Sequence, residues 1–131
     1  MRLLLLSTLL VSLAASAQPA ATREAAKPAA PATASYSQKT LLKNWALSVC
    51  LAKVAKTAEA KDDANAAAAA YMEFGKQSVE AYEPLRELAD RYAKRVYGGA
   101  TQSEFNTMKC IDLLHSKELD ALASRMEKSR R

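Results

Sequence analysis

Tyr82, Leu85, Leu88, Ala89, Tyr92 and Val96 recur at the 3.6-residue period of an α-helix, and no stretch of the chain alternates at the two-residue period of a strand. That pattern restricts the chain to an all-α fold of four or five helices. The first helix is expected over Gln38 to Lys56, capped by Ser37, with Leu47, Cys50, Leu51 and Val54 on one apolar face and Trp45 on its shoulder. A second helix is expected to open at Asp62-Asp63, where acidic side chains suit the N-terminal end of the dipole, and to run through alanines 66 to 70, Tyr71 and Phe74 to a stop at Gly75. The third carries the pattern named first, with Pro84 near its start and Gly98-Gly99 at its end. Ser103 is expected to open a fourth helix with Phe105, Met108, Ile111 and Leu114 inward. Ser116 is the N-cap of a last one with Leu119, Leu122 and Met126 inward.

The ends of the chain have a different character. Met1-Arg2, the apolar run Leu3 to Ala15 and the small residues of Ala15-Ser16-Ala17 read as a secretory signal over residues 1–17, cleaved before Gln18. Residues 18–35, QPAATREAAKPAAPATAS, hold three prolines and no large apolar side chain. Such a segment cannot bury enough surface to offset its ordering entropy, and a flexible Pro/Ala-rich spacer is expected. The folded domain is then residues 36–131, with a frayed basic tail at Lys128, Arg130 and Arg131. An exported chain with no later apolar span is expected to be periplasmic, with no membrane contact once the signal is cleaved.

Export gives the two cysteines their meaning. In an oxidising compartment, Cys50 and Cys110 are expected to pair as a structural disulfide that clamps the helices. Closing a loop of roughly sixty residues is worth about 4 kcal/mol in the chain-entropy model. The alternative, a reactive thiol, finds no cation obviously placed to activate it. Two distant cysteines and one histidine do not make a zinc ligand set, so no metal is expected.

Charge and motifs exclude further classes. The whole chain holds 19 basic and 14 acidic residues, a formal +5. Arg2 leaves with the signal, and Arg23 and Lys27 less Glu24 leave with the spacer, so the domain keeps +3. That is too sparse, and too poor in interleaved aromatics, for nucleic acid. Gly98-Gly99 lacks the Lys and Ser/Thr of a phosphate loop, and no cofactor is expected. His115 is the only histidine, and its neighbour Ser116 would point elsewhere on a helix, so no catalytic constellation assembles. Glu80, Glu83, Glu87 and Asp90 recur on the outer side of the third helix, as a solvated face or a binding face. A small exported helical domain without catalytic apparatus suits a binding or inhibitory module.

Two blocks carry a family resemblance. Asn44-Trp45-Ala46-Leu47-Ser48-Val49-Cys50-Leu51-Ala52 resembles the first-helix motif of the type VI secretion system amidase immunity proteins, the group that neutralises the fourth class of amidase effectors. The block from Ser103-Glu104-Phe105-Asn106 through Cys110-Ile111-Asp112 to Leu119-Asp120 is similar to that family's C-terminal signature. Ala69-Ala70-Tyr71 and Glu80-Ala81-Tyr82 fall where similar residues are expected. The resemblance covers Tyr36 to Met126, and the Pro/Ala spacer lies outside it.

The resemblance implies an all-α periplasmic protein, not an enzyme. Its partner would be a peptidoglycan amidase of the papain-like Cys-His type, whose active-site cleft it covers or plugs. It also implies a homodimer that holds two effectors in a 2:2 complex, using a protruding loop of one subunit and a helix of the other. The candidate plug is the slim tip Gly98, Gly99, Ala100, Thr101 and Gln102, where glycine lets backbone approach closely. The supporting surface would be Glu83, Arg86, Glu87, Asp90 and Lys94. A second candidate protrusion is His115, Ser116, Lys117 and Glu118, at the next helix junction. A periplasmic adaptor or chaperone without a toxin partner is the alternative class.

Overall fold

The computed structural model describes Ala29 and residues 31–129. The expected signal peptide and most of the expected spacer lie outside the described residues. The last part of that spacer segment, Ala32–Ser35, forms one short 3₁₀ helix with Thr33 buried. Five α-helices follow: α1 Gln38–Val54, α2 Ala58–Glu73, α3 Glu83–Ala93, α4 Asn106–His115 and α5 Lys117–Met126. A second 3₁₀ turn, Val79–Tyr82, leads into α3. Among the described residues there is no strand, and no helix is long and apolar enough to cross a membrane.

Helix α1 is the spine, and α2, α3, α4 and α5 all pack against it. Ser37 caps it, its hydroxyl accepting from the Thr40 N–H at 3.1 Å. The core stripe is Leu42, Trp45, Ala46, Val49 and Cys50, spaced i, i+3, i+4, i+7 and i+8. Trp45 therefore sits at the centre of this face rather than on its shoulder. Leu47, Leu51 and Val54, expected to lead it, are only partly buried at its flank. The Trp45 indole meets the Tyr82 ring edge-on at 5.0 Å between centroids and 63° between planes, the favoured offset of two aromatic quadrupoles. Leu85, Leu88, Ala89 and Tyr92 of α3 close over this pair.

The cysteines are joined: Cys50 Sγ and Cys110 Sγ are bonded, with 5.6 Å between their Cα atoms, both side chains fully buried. The bond ties α1 to α4, two helices far apart in the sequence. It also sets the rotation of α4. With Cys110 turned to α1, the inward residues are Lys109, Cys110 and Leu113. Met108 and Ile111, expected inward, are 48% and 47% exposed. Periodicity alone allowed either stripe, and the disulfide chose.

Three boundaries differ from expectation. Helix α2 starts at Ala58, because Thr57 supplies the cap by accepting from the Ala60 N–H, and Asp62-Asp63 lie a turn inside. Phe74, expected to give α2 bulk, is exposed. Helix α3 ends at Ala93, and Val96, expected on its core face, is 95% exposed. Beyond Lys94 the side chains find partners off the helix path: Arg95 folds back 3.4 Å over the Tyr92 ring, and Tyr97 reaches across to Asp112. Helix α4 starts at Asn106 rather than Ser103, whose hydroxyl instead accepts from the Phe105 N–H at 3.1 Å. Ser116 caps α5 as expected, accepting from the Leu119 N–H while donating to the Leu113 carbonyl.

Candidate functional site: the outer face of helix α3 and the loop that follows it

The 3.6-residue period places Glu83, Arg86, Glu87, Asp90 and Lys94 on the side of α3 opposite its buried leucines. Much of their charge is spent within the chain. Arg86 Nε lies 3.3 Å from Glu83 Oε2, and its guanidinium sits 5.2 Å from the Trp45 ring centroid. Asp90 is held by Lys94, at the C-cap of its own helix, and by Lys53 of α1, the latter at 2.9 Å. The hydrogen bonds from Lys94 and then Lys53 hold its carboxyl below the usual aspartate range. Glu83, Arg86, Glu87 and Asp90 line, with Lys53, a shallow cleft of about 230 Å³. The face is rich in hydrogen-bonding groups but close to neutral.

The expected plug lies at the end of this helix. Gly98, Gly99, Ala100, Thr101 and Gln102 are all exposed, between the last turn of α3 and the first of α4. Around Gly98 there is open space, whereas a Cβ on Gly99 would come within 2.8 Å of the Phe105 ring. Only Gly99 therefore needs to be glycine for packing. The base of the loop is tied down by residues outside the expected contact set. The Tyr97 hydroxyl donates to Asp112 Oδ2 at 2.6 Å, and Lys56 pairs with Glu104. Asn106 Nδ2 donates to Glu104 Oε2, and Lys56 and then Asn106 lower the Glu104 carboxyl's affinity for protons. No sequence signal announced the pairing of Tyr97 with Asp112, because it depends on how α4 is turned.

The α4–α5 junction is a different kind of surface. His115 and Lys117 are exposed, Ser116 is engaged in capping, and Glu118 pairs with Arg91 of α3. This junction is drawn towards α3 and does not join the Gly98–Gln102 tip. Both sulfurs are bonded to each other, so no thiolate exists for His115 to activate. Among the described residues, no three His, Cys, Asp or Glu side chains converge as a metal would need.

The fold and surface define a small, disulfide-clamped helical binding protein, with a polar helix face and a slim loop as its exposed features. Comparison then places it. Residues 40–123 match the family model of the type VI secretion system (T6SS) amidase immunity protein, Tai4, and the chain belongs to that family. Among solved structures it is similar to a chain of the Tae4/Tai4 effector–immunity system of Salmonella typhimurium, at 52% identity and a TM-score of 0.71, covering 74% of this chain and 96% of that one. A chain of the Tae4–Tai4 complex of Enterobacter cloacae is 28% identical with a TM-score of 0.65, covering 74% and 99%. A chain from the type VI-secreted toxins and self-resistance proteins of Serratia marcescens is 29% identical with a TM-score of 0.72, covering 80% and 88%. No curated protein sequence matches the chain.

Proposed function

We propose that this protein is exported to the periplasm, binds a Tae4-type peptidoglycan amidase and occludes its active site, so protecting the cell from that toxin. The observation that carries this reading is the 52% identity to a chain of the Salmonella effector–immunity system, over nearly the whole of that chain. The physical form is compatible. An inhibitor that performs no chemistry needs a stiff base and an accessible surface, and here a clamped core presents both a loop and a polar helix face. The contact set is the tip Gly98 to Gln102 together with Glu83, Arg86, Glu87, Asp90 and Lys94. The His115 to Glu118 junction ranks second, since the residues that flank it, Leu113 and Leu119, are packed in the core. Two copies holding two effectors, in a 2:2 complex, is the assembly we favour from the family resemblance.

The test is a titration of a purified Tae4-class amidase with the oxidised domain, on cell-wall peptide substrate. Activity should fall to zero at one domain per enzyme, and dissociation should be nanomolar or tighter, about −12 kcal/mol. Light scattering of the mixture reports the 2:2 assembly. Absence of inhibition by excess folded protein across such amidases would overturn the proposal and favour an adaptor or chaperone. His115→Gln should weaken inhibition by no more than about fivefold, as expected of a rim contact.

A further inference from the structure

The connection from Lys94 to Phe105 is neither helix nor strand, yet it is anchored at both ends. On the α3 side, the Tyr97 hydroxyl donates to Asp112 Oδ2 of α4 at 2.6 Å. On the α4 side, Phe105 has φ 52° and ψ 37°, the only positive φ on a non-glycine among the described residues. A phenylalanine in the left-handed region is uncommon and persists only where the surroundings hold it. Here its ring packs against Gly99 and its N–H donates to Ser103 Oγ. Beneath the loop lies Lys109, only 7% exposed, its ammonium donating to Asn106 Oδ1 at 3.0 Å. With Lys94, Arg95, Val96, Tyr97, Ser103 and Glu104 it lines a cleft of about 350 Å³.

We propose that Tyr97, Asp112 and Phe105 are positioning residues, forming a latch that holds the α3–α4 loop in one shape before the effector arrives. The proposal rests on the occlusion reading above and assigns it a device. A loop already ordered in the free protein loses little conformational freedom on binding, so the complex keeps affinity that a mobile loop would forfeit. The phenol bonds the loop's first half to α4, and Gly99 under the Phe105 ring links that half to the second.

The experiment compares Tyr97→Phe, Asp112→Ala and Asp112→Asn with the parent, using the full oxidised domain. Three quantities are read: amide hydrogen exchange at 98–104, acylation of the Lys109 amine in the free protein, and inhibition of the amidase. Tyr97→Phe and Asp112→Ala should each speed loop exchange and Lys109 labelling, and weaken inhibition about tenfold. Combined, they should do little more than either alone, because both break one bond. Asp112→Asn keeps an acceptor oxygen and should restore most of the parental behaviour, which a general loss of packing would not allow. Melting temperatures should stay close to the parent's. Unchanged loop exchange in Tyr97→Phe and Asp112→Ala overturns the latch, and so does faster exchange with parental inhibition. If Tyr97→Phe does not fold, the contrast between Asp112→Ala and Asp112→Asn carries the test alone. If the parent itself does not inhibit, the functional reading falls, while the exchange data still decide whether the latch exists.

Discussion

Helices α1 and α2 are neighbours of nearly equal length, 17 and 16 residues, and they are stabilised in different ways. Eight residues of α1 are buried, including Leu42, Trp45 and Cys50 at its centre, whereas α2 buries only Ala64 and Ala68. The first helix exists because its side chains fill the core. The second exists because alanine favours helix intrinsically, because Thr57 caps it, and because thin side chains let it lie close against α1. Length and shared contact therefore do not measure importance. The same amount of helix can be held by tertiary packing in one place and by local propensity in the next.

The contrast can be tested most severely at the disulfide. Cys50→Ala should cost about 4 kcal/mol of stability, read by denaturant unfolding of the oxidised protein against the variant. A variant as stable as the parent would mean that α1 is held without its clamp. Leu42→Ala, a fully buried truncation in α1, should cost about 3 kcal/mol by the same measurement. On α2, Thr57→Ala and the exposed Ala66→Gly should each cost about 1 kcal/mol. A cost for Ala66→Gly as large as that for Leu42→Ala would show that the outer face of α2 is covered in solution, and the asymmetry between the two helices would then belong to the isolated chain only.

The smallest effect is electrostatic. Lys39 and Lys43 of α1 reach the two carboxylate oxygens of Asp120 on α5 at 2.8 and 3.2 Å, and their hydrogen bonds lower its proton affinity, Lys39 first. A carboxyl depressed in the folded state adds stability above the ordinary aspartate range and loses it as pH falls through the folded value. Asp120→Asn should therefore flatten the acid limb of a plot of melting temperature against pH, by slightly lowering the neutral end and matching the parent in acid, the effect being small because exposure screens the pair.

Much of this arrangement was legible in the residues. The helical period, the caps at Ser37 and Ser116 and the Cys50–Cys110 bond are local or compositional signals, and each was read correctly. The errors share a cause. Asp62-Asp63 looked like a helix start because charge preference is weaker evidence than a cap, and Thr57 outranked it. Val96 extended an apolar series past the point where the chain leaves the helix. Met108 and Ile111 are spaced as a core stripe but lie beside the residues that reach α1. Within the candidate site, the exposed tip and the α3 face were readable from breakers and period. The Tyr97–Asp112 bond and the left-handed turn at Phe105, a residue expected inside the fourth helix, were not, because contacts between a loop and a later helix leave no periodic trace.

By itself, then, the amino-acid order determined an all-α chain, its approximate helices, its covalent clamp and its family. Those properties follow from spacing along one helix or from the count of one residue type, and need no knowledge of neighbours in space. Only the tertiary structure decided which stripe of α1 and of α4 faces inward, where α3 releases the chain, and how the loop is anchored. Those choices turn on rotation about a helix axis. A disulfide and a packed aromatic pair settle that rotation in three dimensions, and hydrophobic spacing alone leaves it open.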